Sequence, residues 1–474
     1  MAENDSFIKS IAKFSISSWS NLFIGLLYVA ITTRIFTPEI CGELSLFNSA
    51  TMILVGIVAL GLDGAFARFF YEPPVGWDTK QIFTRCLLIS LLFLFCLSFI
   101  SLVFFYREIS IKMFNKISLY LTCLLFINVF SNLVLTNFLS QYYRFQCDAK
   151  NFNVQQISTQ LCSKLLCLLA VFIEPSIECV LTFNVFGMLL LAFTYIFIQR
   201  KKVFKLKLSE FWSDAIRPVY KFALFGWPAP ILLQLQDFLI PFFITLLLDA
   251  SALGIYASAG YFVTAFYAIQ GGFRTYWAAF MYRHYGDEQE KICRIHSWIA
   301  VGIIFFLGFV IIFQNQIYML IGEEFHGSRV FFSVVLVAPL LALWEQTTCY
   351  GTALKNRNQQ RLYVYIISGV INVACTYYFL LWFGLLGVAF ASLLSGSIRF
   401  LLQTWRGQVY YRSIMSVFNT IFMLALLCVL SVSNVLLYDD FFAEILVVLF
   451  IFIITAACNK AVLQDICSKA RLFI

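Results

Sequence analysis

The side chains of this sequence that are best suited to chemistry are ionisable groups inside long apolar segments. Asp237 lies in LLQLQDFLIPF, Glu345 in LLALWEQTTCY and Arg399 in LLSGSIRFLL. Lys164 begins a further apolar run, KLLCLLAVFI. If these segments cross a membrane, a charge at the bilayer centre costs about 2.5–3.5 kcal/mol even on a lenient insertion scale. Each of the four therefore needs a partner, a water-filled cavity or a function.

Ionisable residues also lie near the ends of apolar segments. Arginine and lysine bind phosphate strongly where water is scarce. The basic residues are therefore candidates for holding an anionic ligand: Arg68, Arg274, Arg399, Arg34 and Lys164. A carboxylate among apolar residues can change its protonation or Na⁺ occupancy as a cavity opens to alternate sides. The candidate ion-coupling residues are Asp237 first, Glu345 second, and Asp63.

A purely structural role is the alternative for each of these residues. Long basic side chains near a helix end can extend to the membrane surface, which applies to Arg34, Arg68, Arg274 and Lys164. Arg399, which we place about five residues from its helix end, could do the same. Asp63 could pair with Arg68 at the end of one helix. Asp237 and Glu345 could form an interhelical pair with each other or with a basic residue in a span.

The sequence lacks the motifs of ATP-driven pumps and of metal enzymes. No GxxxxGK[ST] loop is present, so any transport would be secondary or passive. The three histidines form no HExxH motif, and the fourteen cysteines include no CxxC pair. We therefore expect neither a metal nor another cofactor. The loops are too short to carry the acid and base residues of a membrane glycosyltransferase, so no enzyme activity is expected.

The composition is that of a protein that lies mostly in lipid. Hydrophobic residues make up 61% of the 474 residues and charged residues 12%, compared with about 45–50% and about 25% in soluble domains. The chain is predicted to be an all-α polytopic membrane protein. Hydropathy in a window of about 19 residues predicts fourteen transmembrane helices at 14–35, 44–63, 86–106, 118–140, 156–173, 178–198, 222–247, 252–273, 296–314, 328–350, 362–382, 385–404, 414–437 and 441–458.

The distribution of lysine and arginine predicts the orientation of these helices. Of the 33 basic residues, 26 fall in one set of loops and tails and 5 in the other. Because cytoplasmic loops carry the excess of Lys and Arg, both termini are predicted to be cytoplasmic. The net charge of +8 is then an orientation signal, and no nucleic-acid partner is expected. The first residues, MAENDSFIKS, lack the basic region of a removable signal peptide.

A basic segment divides the chain about halfway along its length. The segment 199–221, QRKKVFKLKLSEFWSDAIRPVYK, is predicted to be a cytoplasmic linker attracted to anionic headgroups. It separates an N-terminal six-helix lobe, 1–198, from a C-terminal six-helix lobe, 222–404. Two extra helices and a cytoplasmic tail occupy 405–474. An internal alignment of the two halves at an offset of 212 residues sets Gly42 opposite Gly254 and indicates a repeat.

Three stretches resemble the Wzx-type polysaccharide repeat-unit flippases, or polysaccharide biosynthesis proteins, of the superfamily that also holds MATE transporters and the lipid II flippase. They are TRIFTPEICGELSL with LGLDGAFARFF, then LQDFLIPFFITLLLDASALGIYASA, and GVINVACTYYFLLWFGLLGVAFASLLSG. The last is the most specific, with Asn372 in span 11, Gly384 in the outer turn, and Gly387 and Ala389 opening span 12. The resemblance covers essentially the whole chain.

The resemblance implies two six-helix lobes arranged in a V around a central cavity, with two peripheral C-terminal helices. It implies that undecaprenyl-diphosphate-linked oligosaccharide, an O-antigen or capsule repeat unit, is flipped from the cytoplasmic to the periplasmic leaflet of the cell inner membrane. The implied partners are this lipid-linked oligosaccharide, a coupling ion (H⁺ or Na⁺), and a polysaccharide polymerase and chain-length regulator in the membrane.

Two other functions remain open at this point. A cation-coupled multidrug or small-solute exporter of the same superfamily would share the fold. A non-transporting scaffold of a polysaccharide assembly complex would not need Asp237, Glu345 or Arg399 in the membrane. The basic content near the predicted cavity favours an anionic lipid as the substrate.

Overall fold

The computed structural model describes residues 2–200, 216–355 and 357–470, and these residues are predominantly α-helical. The helices form two compact units, Met1–Gly254 and Ile255–Ile474. The predicted linker at 199–221 falls largely outside the described residues. The division into two six-helix lobes and two extra helices stays a prediction.

The first unit is built from helices that precede the middle of the chain. They are α1 (Ala2–Ile35), α2 (Pro38–Ala59), α3 (Leu62–Arg68), α4 (Thr79–Phe104), α5 (Tyr106–Phe114), α6 (Leu119–Asn132), α7 (Ser140–Phe145), α8 (Ala149–Val171), α9 (Ile177–Gln199), α10 (Arg217–Gly226) and α11 (Pro228–Leu247), followed by the first turn of α12 (Ala250–His284). A π-helical segment, Leu133–Leu139, joins α6 to α7.

The second unit begins within α12 and contains the remaining helices. They are α13 (Gln289–Ile312), α14 (Gln314–Tyr318), α15 (Arg329–Glu345), α16 (Tyr350–Leu354), α17 (Asn358–Phe383), α18 (Leu385–Tyr410), α19 (Val417–Leu437), α20 (Phe441–Cys458) and α21 (Lys460–Ala470), with a 3₁₀ turn at Glu323–Ser328. The turn between α17 and α18 is Gly384, whose φ of 58° favours glycine. A Cβ on Gly387 would lie 2.0 Å from the carbonyl oxygen of Phe379, so α18 starts directly against α17.

The apolar segments of the sequence are helices, as predicted. Eleven helices among the described residues are long and apolar enough to cross a membrane, which confirms an all-α polytopic membrane protein. The count of fourteen stays a prediction, since Ser20–Ile35 and Ala250–Val263 are shorter apolar helices. The span expected at 156–173 lies in α8, whose Asn, Gln and Lys side chains lower its hydropathy.

Helices α2 and α12 begin in the same way. Thr37 Oγ1 accepts a hydrogen bond from the Ile40 amide at 3.5 Å, and Asp249 Oδ1 accepts one from the Ala252 amide at 2.6 Å, so a side chain caps each helix N-terminus. The two helix starts also touch, as the glycines show. A Cβ on Gly42 would lie 1.7 Å from the Ala250 carbonyl oxygen, and a Cβ on Gly254 would lie 1.8 Å from the Pro38 carbonyl oxygen.

The residues that make this contact correspond to one another in the internal sequence alignment. Pro38 and Ala250 are 212 residues apart, as are Gly42 and Gly254. Gly42 contacts Ala250, and Gly254 contacts Pro38, so the second contact repeats the first with the two halves exchanged. Elements related by a two-fold axis make contacts of this isologous kind. The geometry therefore supports the predicted internal repeat.

An aromatic core in the first unit holds α3 in place. The Phe83 ring lies 5.3 Å from that of Phe66, 5.3 Å from that of Tyr142 and 6.0 Å from that of Phe138, each in an edge-to-face arrangement. Such pairs add about 0.5–1.5 kcal/mol to what the buried area contributes. Helix α3 carries Asp63 and Arg68, so this packing fixes the position of two candidate residues.

Candidate functional site

Four side chains of the second unit form a charged cluster, here called the arginine cluster: Glu345, Arg361, Tyr365 and Arg399. Glu345 is the last residue of α15 and is only 1% exposed. Its Oε2 accepts a hydrogen bond from Arg399 Nε of α18 at 3.0 Å, and its Oε1 accepts one from the Tyr365 hydroxyl of α17 at 3.2 Å. Both carboxylate oxygens are therefore paired inside the helix bundle.

Arg361 brings a second cation to the cluster. Its Nη2 donates to the Tyr365 hydroxyl at 3.4 Å. The guanidinium carbons of Arg361 and Arg399 lie 5.7 and 5.9 Å from the centroid of the Tyr365 ring, within the range of cation–π attraction. Arg399 therefore pairs with Glu345 directly and Arg361 is linked to it through Tyr365, so two cations stand beside one carboxylate and leave an excess of positive charge. The Arg399 side chain is 25% exposed, so part of its guanidinium is open to a ligand.

The packing of neighbouring aromatic side chains sets the register of α15 against α18 and so brings Glu345 to Arg399. Trp344, which precedes Glu345, stacks on Phe400, which follows Arg399, with ring centroids 4.4 Å apart. The Trp344 indole donates to the His296 carbonyl oxygen at 3.2 Å. These contacts hold α15 against α18, so Glu345 meets Arg399 with little freedom.

The arginine cluster confirms one sequence expectation and corrects another. Glu345 does pair with a basic residue of another span. Arg399 is not near its helix end, because α18 continues eleven residues further to Tyr410. The error arose because the residues after 404 are too polar for a hydropathy window but remain helical. Arg361 was missed because it was assigned to a loop, although its i,i+4 spacing to Tyr365 was a usable signal.

Asp63 and Arg68 do not pair with each other. Arg68 Nη1 donates to Glu72 Oε2 at 2.9 Å in a pair whose side chains are 53% and 72% exposed. Asp63 Oδ2 instead accepts a hydrogen bond from Asn137 Nδ2 at 3.4 Å. Asn137 belongs to the π-helical segment Leu133–Leu139, whose wider turn has no signature in the sequence. Neither partner was foreseen.

The other basic candidates lie at separate places. Lys164 of α8 has its Nζ 5.8 Å from the centroid of the Tyr28 ring of α1. Arg34 is exposed in the last turn of α1, and Arg274 is exposed on α12 in the second unit. Of the five predicted ligand-binding residues, only Arg399 therefore lies in the arginine cluster.

Asp237 occupies α11 of the first unit, and its side chain is exposed rather than buried among apolar residues as expected. The segment is apolar on every side, so the sequence does not tell which face packs against the protein. Pro241 lies four residues later within the helix and has no backbone N–H. The carbonyl oxygen of Asp237 therefore lacks its helical hydrogen bond. A carboxylate and a freed carbonyl at one residue are suited to a cation.

Comparisons with known proteins agree with this architecture. The sequence profile of the family described as "Polysaccharide biosynthesis protein" matches residues 7–276, more than half of the chain. No curated protein matches the sequence. The fold is similar to that of lipid II flippase MurJ in an inward closed conformation, with a TM-score of 0.63 and 15% identity over 95% of this chain and 99% of that one.

Two transporters of the MOP superfamily are also similar. A multidrug resistance MATE family transporter in an inward-facing conformation gives a TM-score of 0.59 with 14% identity, covering 83% of this chain and 95% of that one. A transporter from Pyrococcus furiosus gives 0.57 with 16% identity, covering 85% and 96%. At such identities the likeness establishes the fold. The matches confirm the resemblance found in the sequence motifs.

Proposed function

Because the chain belongs to the polysaccharide biosynthesis protein family, we propose that it flips undecaprenyl-diphosphate-linked oligosaccharide from the cytoplasmic to the periplasmic leaflet of the cell inner membrane. The observation that carries this proposal is the arginine cluster, in which Arg399 bonds to the single carboxylate of Glu345 and Arg361 is linked to it through Tyr365. A diphosphate is complementary to that excess of charge, because arginine donates paired hydrogen bonds to phosphate oxygens.

The arginine cluster can hold the diphosphate headgroup, and Glu345 pairs with Arg399 when no headgroup is bound. Glu345 occupies only one N–H of Arg399, at 3.0 Å, and guanidinium carries five donors. A diphosphate can therefore bind the remaining donors of Arg399 and those of Arg361. Arg68, Arg274, Arg34 and Lys164 remain candidate contacts elsewhere. The exposed Arg68–Glu72 pair is weak enough to exchange with a ligand.

A flipping assay with purified protein tests the role of Arg399. Vesicles carry lipid-linked oligosaccharide, and the measured quantity is the rate at which an added hydrolase gains access to it. Arg399→Ala alone leaves the buried carboxylate of Glu345 without its charged partner, which costs about 3–5 kcal/mol. The informative variant is therefore the double substitution Glu345→Gln with Arg399→Ala, which removes both charges together.

We expect the double variant to fold and to flip at least tenfold more slowly than the wild type, since about 1.4 kcal/mol of lost headgroup binding changes a rate constant tenfold. Arg399→Lys should retain part of the rate, because lysine keeps the charge but not the planar fork. The matched control is Arg406→Ala, an exposed arginine of the same helix. Wild-type flipping by the double variant would show that the arginine cluster is structural and would overturn the assignment.

A cation-coupled multidrug or small-solute exporter is the second candidate. The exposed carboxylate of Asp237 favours it, because such a group attracts an organic cation as readily as a coupling ion. Export of organic cations against a Na⁺ or H⁺ gradient by the purified protein, without flipping of the lipid-linked sugar, would support this candidate. A polysaccharide polymerase and a chain-length regulator are the membrane partners expected only if the flippase function holds.

A further inference from the structure

A second set of polar side chains lies in the second unit, and we call it the Glu444 cluster: the buried Gln314, Asn434 and Glu444, with the half-buried Arg329, whose charge acts on Glu444. Glu444 of α20 is 2% exposed, Asn434 of α19 is 2% exposed and Gln314 of α14 is 1% exposed. Glu444 lies near the start of the predicted span 441–458, and no role was predicted for it. Its burial among polar groups was not predicted.

Hydrogen bonds account for only part of this cluster. Glu444 Oε1 accepts from Gln314 Nε2 at 2.7 Å and also from Asn434 Nδ2. Three oxygens have no hydrogen-bond partner among the described residues: Glu444 Oε2, Gln314 Oε1 and Asn434 Oδ1. A buried oxygen left unpaired is destabilising, so three together require an explanation.

The three unpaired oxygens are neighbours. Each amide oxygen shares its carbon with a nitrogen that contacts Glu444, so it lies close to the carboxylate. Turning either amide round does not help, because an amide oxygen would then face a carboxylate oxygen and a hydrogen bond would be lost. Protonation of Glu444 at Oε2 would supply one donor for the two amide oxygens and leave one of them unpaired. A bound cation, unlike a single proton, can be shared by several oxygens.

We propose that the Glu444 cluster binds Na⁺ through Glu444 Oε2, Gln314 Oε1 and Asn434 Oδ1. Carboxylate and amide oxygens are the ligands that hard cations prefer. One carboxylate balances one positive charge, which favours a monovalent over a divalent ion. The site is distinct from Asp237 and joins α14, α19 and α20, so its occupancy should stabilise the packing of these helices.

Arg329 is the charged group that competes with this assignment. Its Nη2 donates to the Tyr438 carbonyl oxygen at 3.3 Å, and its Nε has no partner among the described residues. A rotated Arg329 could pair with Glu444 in place of an ion. A bound Na⁺ ion and an Arg329–Glu444 ion pair predict different effects of Arg329→Gln: a larger response to Na⁺ in the first case and a loss of stability in the second.

The experiment measures the thermal unfolding midpoint of the full-length protein in detergent, in NaCl and in choline chloride of equal ionic strength. Na⁺ should raise the midpoint of the wild type, since an ion that binds only the folded state stabilises it. Glu444→Gln should abolish this shift, and Arg329→Gln should enlarge it by removing a like charge. The control Glu323→Gln, at an exposed carboxylate, should leave the shift unchanged.

Several outcomes would overturn the proposal. The first is a wild-type unfolding midpoint that does not respond to Na⁺. The second is a Na⁺ response of the midpoint that is lost in Asp237→Asn but kept in Glu444→Gln. The third is an Arg329→Gln variant whose midpoint falls equally in both salts and is restored by adding Glu444→Gln. If Glu444→Gln does not fold, Asn434→Asp takes its place. That variant adds a carboxylate, so it should shift the midpoint at a lower Na⁺ concentration than the wild type, and an unchanged requirement would count against the site.

Discussion

Glu345 and Arg399 stand within helices where either charge alone would be costly. Breaking a buried pair by removing one partner typically costs about 3–5 kcal/mol, whereas replacing both by apolar residues is often neutral. The pair is therefore weak evidence for a role in stability. In the function that we propose, the pair keeps a guanidinium available to a ligand within the helix bundle, with Tyr365 and Arg361 beside it. A ligand with phosphate oxygens can use that group without the protein bearing an isolated charge beforehand.

Asp237→Asn tests whether flipping is driven by an ion. The substitution keeps the shape of the side chain but cannot ionise, so it should stop gradient-driven flipping while leaving binding of the lipid-linked oligosaccharide nearly intact. Each charge moved through 100 mV yields about 2.3 kcal/mol, enough to give direction to the cycle. The measurement is flipping in vesicles with an imposed H⁺ or Na⁺ gradient, beside a binding assay.

The matched control for that test is Asp439→Asn, which alters an exposed carboxylate outside the helices. A wild-type rate for Asp237→Asn under a gradient would remove Asp237 as the coupling residue. The assignment would then move to Glu345 or Asp63, or to uncoupled flipping drawn by consumption of the product.

Charges within apolar runs were visible from the sequence, but their partners were not. Glu345 and Arg399 are 54 positions apart, and their contact depends on the register of α15 against α18, which stacking of Trp344 on Phe400 sets. Arg361 was hidden by a predicted helix boundary that lay one residue after it. The exposure of Asp237 could not be read from a segment that is apolar all round.

Helices were easier to predict than contacts because a membrane leaves few alternatives. Backbone polar groups in lipid must be paired within the segment, so a long apolar run forms a helix, as in α18 or α20. Departures from a regular helix were not predictable. In the π-helical segment the Leu135 carbonyl accepts from the Ser140 amide and also from Gln155 Nε2 at 2.9 Å, and the second partner comes from another helix.

The contact between α2 and the start of α12 gives a prediction about helix packing. A Cβ on Gly254 would lie 1.8 Å from the Pro38 carbonyl oxygen, so Gly254→Ala must push the two backbones apart. Overpacking of this kind costs about 1–3 kcal/mol, and the unfolding midpoint in detergent should fall. Gly42→Ala should act in the same direction, since its Cβ would lie 1.7 Å from the Ala250 carbonyl oxygen.

Gly260→Ala is the matched control for the glycine contact. It lies on the same helix, and a Cβ there would meet nothing within 4 Å. Because alanine favours a helix over glycine by about 1 kcal/mol, this variant should be neutral or slightly stabilised. Equal midpoints for Gly254→Ala and Gly260→Ala would mean that the close approach does not exist in the folded protein.

At the scale of the whole chain, contacts between loops agree with the division into loops that are rich and loops that are poor in basic residues. In the first unit, Lys116 pairs with Glu178 at 2.9 Å, and both belong to the loops that carry few basic residues. In the second unit, the Tyr411 hydroxyl donates to the Tyr285 carbonyl oxygen at 2.8 Å, and both belong to the basic loops. The contacts thus join loops of the same predicted side, as alternating spans require.

Which side is cytoplasmic follows from the charges and can be measured directly. Reporter fusions that are active only outside the cytoplasm should be silent at residues near 80, 150, 210, 290 and 358, which lie in the lysine- and arginine-rich loops. They should be active near 40, 112, 249, 322 and 439. The reason is that translocation of basic loops is disfavoured, and the two sets hold 26 and 5 basic residues. An external signal near residue 290 would reverse the orientation, and with it the direction of flipping that we propose.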